Sequence, residues 1–180
     1  ADDTSKQARK HAQIRRKAMF GWWQNSTLDL QLAKRARHLI GYSQTVTQLR
    51  FDPKKGVPTW HCRDPLTAYP SNLRGVDDMT PADCVFGYER SYGWMQTFYP
   101  EAALRFAGGV KDSPYEKDEP IEMIEYVDHM ETVLIGLRNP HTQGYASDDT
   151  SPVVVELERV PNLIGRCPVV VSNRISLDES

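Results

Sequence analysis

An α+β fold, with two N-terminal helices followed by mainly antiparallel β strands and a short helix, is predicted by three features of the 180-residue sequence. Apolar residues recur at helical spacing as far as Gly41, the period then falls to that of a strand, and the later apolar runs are short and separated by turn-rich segments. The expected organisation is a basic helical segment, 1–41, and a β-rich region, 42–180, forming one structural unit.

From Ser5 to Trp23, Ala8, Ala12, Met19, Trp22 and Trp23 follow one helical stripe, and Lys6, Arg9, Lys10, Arg15, Arg16 and Lys17 crowd the remaining positions. This predicts a basic, amphipathic helix. "QNSTLDLQLAKRARHLIG" begins with Ser26 three residues before Asp29, the pattern of a capping box, and places Leu28, Leu32, Ala36, Leu39 and Ile40 on a second stripe. Gly41 is expected to end that helix in the left-handed conformation.

"QTVTQLRF" sets Thr47, Leu49 and Phe51 on one side of a strand, and "DPKKG" supplies a turn into "VPTWHCR", so a hairpin is expected. Pro58 has no N–H to donate and confines its strand to a sheet edge or a bulge. "DPLTAYPSNLRG" is expected to be an irregular loop, and "TPADC" a helix or turn start with Thr80 as cap and Pro81 first. "CVFGYERSY" reads as a strand, and "YGWMQTFYPEAALRF" as a short helix interrupted near Pro100. "VKDSPYEKDEP" is expected to be an acidic, proline-bearing linker or loop. "IEMIEYVD" and "TVLIGL" read as strands joined through His129–Glu131, "NPHTQGYASDDTSP" as an exposed loop, and "VVVELERV" and "CPVVVSN" as the last strands.

The formal net charge of −2 conceals a split, because residues 1–50 carry ten Lys and Arg against three Asp and Glu, whereas residues 51–180 carry twelve against twenty-one. Only 39% of residues are apolar and the mean hydropathy is −0.56, so either the surface is very polar or a neighbouring subunit completes the core. No run of about 18 apolar residues is present, and no membrane partner is expected. Cys62, Cys84 and Cys167 form an odd set without a C-x-x-C pair, which fits a reducing compartment and argues against a disulfide framework or a four-cysteine zinc site.

Within "TWHCRDPLTAYPSN" a histidine, cysteine, arginine and aspartate are consecutive. Alternation along a strand sends His61 and Cys62 to opposite faces, so they do not converge as base and nucleophile, although a remote histidine such as His129 or His141 could still meet Cys62. The structural reading makes this stretch a joint: Trp60 and Cys62 face inward, Asp64 precedes Pro65 and accepts turn N–H groups, Arg63 pairs nearby, and Pro65, Tyr69 and Pro70 stiffen the exit. His129 and Glu131 are too few for a metal site, and no phosphate-binding glycine loop or serine-nucleophile elbow occurs. No catalytic residue, cofactor or metal is therefore expected. Arg9, Lys10, Arg15, Arg16 and Lys17 are the candidates for contact with DNA or with another subunit.

A helix ending "GWW", a second ending "RARHLIGY", a hairpin and then "WHCRDPLTAYPS" follow one another, with "DCVFGYERSYGWMQTFYPE", "IEYVDHMETVL" and "RVPNLIGRCPVVV" behind them. This order resembles the portal proteins of tailed bacteriophages, particularly those of actinobacterial phages. The resemblance implies a ring, typically dodecameric, at a capsid vertex of the virion, assembled in the host cytoplasm. The implied partners are further portal subunits, the major capsid protein, a head–tail adaptor, the terminase motor and double-stranded DNA passing through the channel. It also implies that the chain is a fragment of a longer one, mostly the peripheral wing region. The competing expectations are a cysteine-dependent hydrolase or transferase and a free-standing nucleic-acid-binding module.

Overall fold

The computed structural model describes residues 2–52, 56–71, 79–109, 115–138 and 153–173. The middle of the "DPKKG" turn, the end of the "SNLRG" loop, the start of the acidic linker and the "NPHTQGYASDDTSP" loop with His141 lie outside the described residues. The α+β class holds: two helices come first, then mostly antiparallel strands in two sheets and a short helix pair.

Helix α1 (Asp2–Asn25) is built from alanine, lysine, arginine and glutamine, strong helix formers, and reaches about 36 Å at ~1.5 Å per residue. Helix α2 (Leu28–Tyr42) departs from expectation at both ends. Because α1 continues past Trp23, the Ser26 hydroxyl donates back to the Trp23 carbonyl (3.0 Å) instead of capping α2. At the other end the His38 and Tyr42 rings, four residues apart and 5.7 Å between centroids, carry the last turn past Gly41, and Ser43 takes the left-handed position (φ 55°).

The first sheet has the order β2–β1–β8, from β1 (Gln44–Asp52), β2 (Val57–Arg63) and β8 (Val169–Asn173), all antiparallel. Strand β1 is central, which explains why Thr45, Val46, Thr47 and Gln48 are all buried in place of a simple alternation. Pro58 lies on the edge strand β2, as its missing donor requires.

The second sheet has the order β3–β4–β5–β6–β7: Ala68–Pro70, Cys84–Ser91, Pro120–Val127, Glu131–Arg138 and Val153–Pro161. Two segments expected to be irregular or helical differ. "DPLTAYP" forms a 3-10 turn (Pro65–Thr67) and then β3, because Asp64 organises the turn and Ala68–Pro70 finds β4 as a partner. "TPADC" forms no helix, since Asp83 is held by reciprocal bonds with Ser71 (N–H to Oγ 3.1 Å) beside β3.

Strand β5 orders the interior, burying Ile121, Met123, Glu125 and Val127 on one face. Ile121 and Met123 pack under α3 (Tyr92–Phe98) and α4 (Pro100–Phe106), which break at Tyr99–Pro100 as expected, with Met95, Ala103 and Phe106. Val127, Cys84 and Phe86 pack against Val46, Val169 and Val171 of the first sheet, each buried side chain contributing about 1.5–3 kcal/mol. Of the acidic stretch expected to be a linker or loop, the described part is packed on the body: Tyr115 is buried against Tyr92 and Phe106 (centroids 5.2 and 5.4 Å). No helix among the described residues is long and apolar enough to cross a membrane.

The turn that follows Tyr115 sits directly on α3, where the Gly93 N–H donates to the Lys117 carbonyl at 2.7 Å. A Cβ at Gly93 would lie 2.9 Å from that carbonyl oxygen, so Gly93→Ala must displace backbone. We expect a loss of about 1–3 kcal/mol in urea unfolding; an unchanged midpoint would mean that the turn is not seated on α3.

Candidate functional site

The residues of the "WHCRDP" stretch are divided between two structural roles. Its odd and even positions point oppositely, so Cys62 lies under α2 while Arg63 enters the space between the sheets. Arg63 does not pair in its own turn. Its Nη2 lies 3.0 Å from Glu125 Oε2, and its guanidinium stacks 4.3 Å from the Phe86 centroid and 5.2 Å from that of Tyr88. On the other Glu125 oxygen, Gln48 Nε2 donates at 2.6 Å and Arg50 Nη2 forms an ion pair. The carboxylate, 0% exposed, thus joins β1 and β2 of one sheet to β5 of the other. Burial would raise its pKa, but Arg50, Arg63 and the Gln48 hydrogen bond outweigh that and hold it below the ordinary value of 4.5.

Asp64 behaves as read: its backbone is extended (φ −71°, ψ 122°), and Oδ1 accepts the Leu66 N–H at 3.0 Å. Pro65 is buried in the turn, Trp60 is half-buried, and the exposed Tyr69 ring lies over Gly87 of β4, 3.8 Å from where a Cβ would stand.

Helix α2 seats on β2 through polar groups. The outer edge of β2 leaves the Cys62 N–H and carbonyl unpaired by strands, and α2 satisfies both: Gln31 Oε1 accepts the N–H (2.8 Å) and Lys34 Nζ donates to the carbonyl (2.9 Å). Arg35 reaches Ser172 Oγ on β8 (3.2 Å). The contact face is therefore Leu28, Gln31, Lys34, Arg35 and His38, and of the expected apolar stripe only Leu28 is buried; Ile40 is 80% exposed. The demand of the strand edge for hydrogen bonds has turned the helix away from its apolar side.

Among the described residues it is His38 and not His129 that approaches Cys62, with Nδ1 3.6 Å from Sγ. Burial nevertheless raises the Cys62 pKa against the opposing pull of Lys34 and Arg35, and raises Cys84 to about 12 and Cys167 to about 11. His129 is exposed in the β5–β6 turn, where Asp128 Oδ1 accepts the Met130 and Glu131 N–H groups (both 2.7 Å), and Glu131 pairs with Arg159. Among the described residues no group of three His, Cys, Asp or Glu side chains could hold a metal.

Arg9, Lys10, Arg15, Arg16 and Lys17 all lie exposed along α1, as does every residue from Ser5 to Phe20. The helix touches the body at its C-terminal end, where Trp22 Nε1 donates to the Pro58 carbonyl (2.7 Å). Met19, Phe20 and Trp23 remain exposed. A single projecting element therefore carries both the cations and an unburied apolar stripe.

Glu125 was missed in the sequence, although a charge at an inward position of the regular alternation Ile121, Met123, Glu125, Val127 is a legible demand for a partner. The sequence matches no protein-family model and no curated protein.

Removing the Glu125 charge leaves two arginines facing a dry interior. Breaking a buried pair costs about 3–5 kcal/mol; Arg50 is 40% exposed, so we expect about 2–3 kcal/mol for Glu125→Gln near neutral pH. Because the folded pKa is depressed, this stabilisation is present above the unfolded value of 4.5 and is lost as pH falls through the folded pKa. Urea midpoints of wild type and variant should therefore converge on acidification below about pH 4.5. A gap that is absent near neutrality, or that widens in acid, would contradict this.

Proposed function

We propose that this chain is a structural subunit segment of a ring-forming virion protein, the portal at a capsid vertex through which double-stranded DNA is packaged and ejected. The observation that carries this reading is α1, a helix of 24 residues whose apolar stripe lies exposed and whose Arg9, Lys10, Arg15, Arg16 and Lys17 make no ion pair among the described residues. An amphipathic helix ordinarily owes most of its stability to packing. Such a helix on an otherwise well-packed body suits a protein completed by its neighbours. The split between a positive first 50 residues and a negative remainder gives each copy two unlike surfaces. Unlike surfaces make head-to-tail contacts, which close into rings when the rotation permits. The resemblance of the motif order to that of phage portal proteins is what suggests the specific identity. In this reading the Glu125 joint is structural, the neighbours are other portal subunits, capsid protein, head–tail adaptor and terminase, and no step of catalysis is assigned.

The same exposed cations favour a second reading, a free-standing nucleic-acid-binding module, in which the basic residues of α1 contact phosphates and affinity falls steeply with salt. The cysteine-enzyme reading draws only on the approach of His38 to Cys62, and a buried thiol with a raised pKa opposes it.

Electron microscopy of purified assemblies, with rotational classification, tests the proposal. Closed rings of one fixed subunit number, about twelve, with a central hole are expected. Monomers that bind duplex DNA in a salt-sensitive manner would instead establish the module.

A further inference from the structure

Between β1, β7 and the 162–168 turn lies a largely apolar cleft of about 380 Å³, on whose wall stands Arg50, the most exposed member of the Glu125 joint. Leu49, Phe51, Val160, Leu163 and Ile164 line it, Leu163 being 81% exposed, and Glu158 stands among them. Glu158 accepts the Tyr99 hydroxyl (2.8 Å) and makes no ion pair among the described residues. The nearby Arg159 is already committed to Glu131 and Glu156. Arg50 on the same wall is committed to Glu125. An open, mostly apolar groove whose carboxylate has no ion pair of its own is suited to a helix that is apolar on one side and basic beside it.

Helix α1 has those properties. Its stripe of Ala8, Ala12, Met19 and Trp23 is exposed, Met19 to 67%, and Arg15 and Arg16 flank the stripe. Between Thr4 and Leu28 the chain has no acidic residue. Resting on the ring reading, we infer that the cleft of each subunit receives α1 of the next, with Met19 and Trp23 in the apolar groove and Arg15 or Arg16 facing Glu158. The two surfaces are different parts of one chain, so the contact is heterologous and repeats around the assembly. Trp22, held on its own Pro58 carbonyl, fixes the root of the donated helix. The basic residues of α1 then serve first as subunit contacts.

Single exposed cysteines at both surfaces test this directly. Met19→Cys and Leu163→Cys are introduced into the same chain, whose native Cys62, Cys84 and Cys167 are buried, and a short bismaleimide is added to the assembled protein. A ladder of multimers, with the link mapped between positions 19 and 163 of different copies, is expected. Leu163→Asp, at a site too exposed to be needed for folding, should leave the melting temperature unchanged and weaken self-association at least ten-fold. Multimers that form without the 19–163 link, or that tolerate Leu163→Asp, would overturn this docking and leave the ring reading standing. Monomers at every concentration would overturn both.

Discussion

The carboxylate of Glu125 is the constraint on which the arrangement of the molecule depends. It is fully buried on β5 between two apolar clusters, one under α3 and α4 and the other between the sheets. A lone charge there would cost several kcal/mol, and it is tolerated because Gln48, Arg50 and Arg63 converge on it from the other sheet. Those three partners sit on two paired strands, with Gln48 opposite His61 and Val46 opposite Arg63. A slip of one residue in that pairing would move Arg63 to the other face and take from the carboxylate one of its two cations. The joint therefore adds specificity of register to a packing that apolar contacts alone would leave less defined.

The same strand pairing determines how the helices are held. With Arg63 directed inward, Cys62 faces outward under α2, and its backbone groups lie on the free edge of β2. Gln31 and Lys34 satisfy them, so α2 is fixed by polar contacts and keeps Leu32 and Ile40 exposed. One helix further out, α1 is held at its root by Trp22 and otherwise projects. Packing thus decreases outward, from a dry carboxylate, through a polar seam, to a helix anchored at its root. On the proposed reading, α1 at the outer end of that gradient is the surface offered to other chains.

Periodicity made the element sequence legible. Both N-terminal helices, the hairpin edge at Pro58, the break at Pro100 and the strands of both sheets except β3 follow from local residue patterns. The Asp64 turn was also readable, because a carboxylate before proline has few other uses. What local patterns could not supply was pairing over distance. Nothing near Arg63 announces a partner at Glu125, and nothing in β8 states that it joins β1 across more than a hundred residues. The burial of Tyr115 was hidden within an acidic, proline-bearing stretch whose composition suggests a linker. The stripe on α2 misled for a different reason: apolar periodicity reports which face can be buried, whereas the hydrogen-bond demand of an exposed strand edge decided which face was used.

The central claim is that a rigid body organised around Glu125 carries a helix completed only by another subunit. Amide hydrogen exchange on the free chain and on its assembly addresses both halves together. Exchange follows local opening, so packed strands and an unpacked helix should differ by orders of magnitude. The account predicts strong protection of β4 and β5 in both states, and protection of Ser5–Phe20 that is weak in the free chain and rises on assembly. Protection of α1 already present in the monomer, or unchanged after assembly, would contradict it.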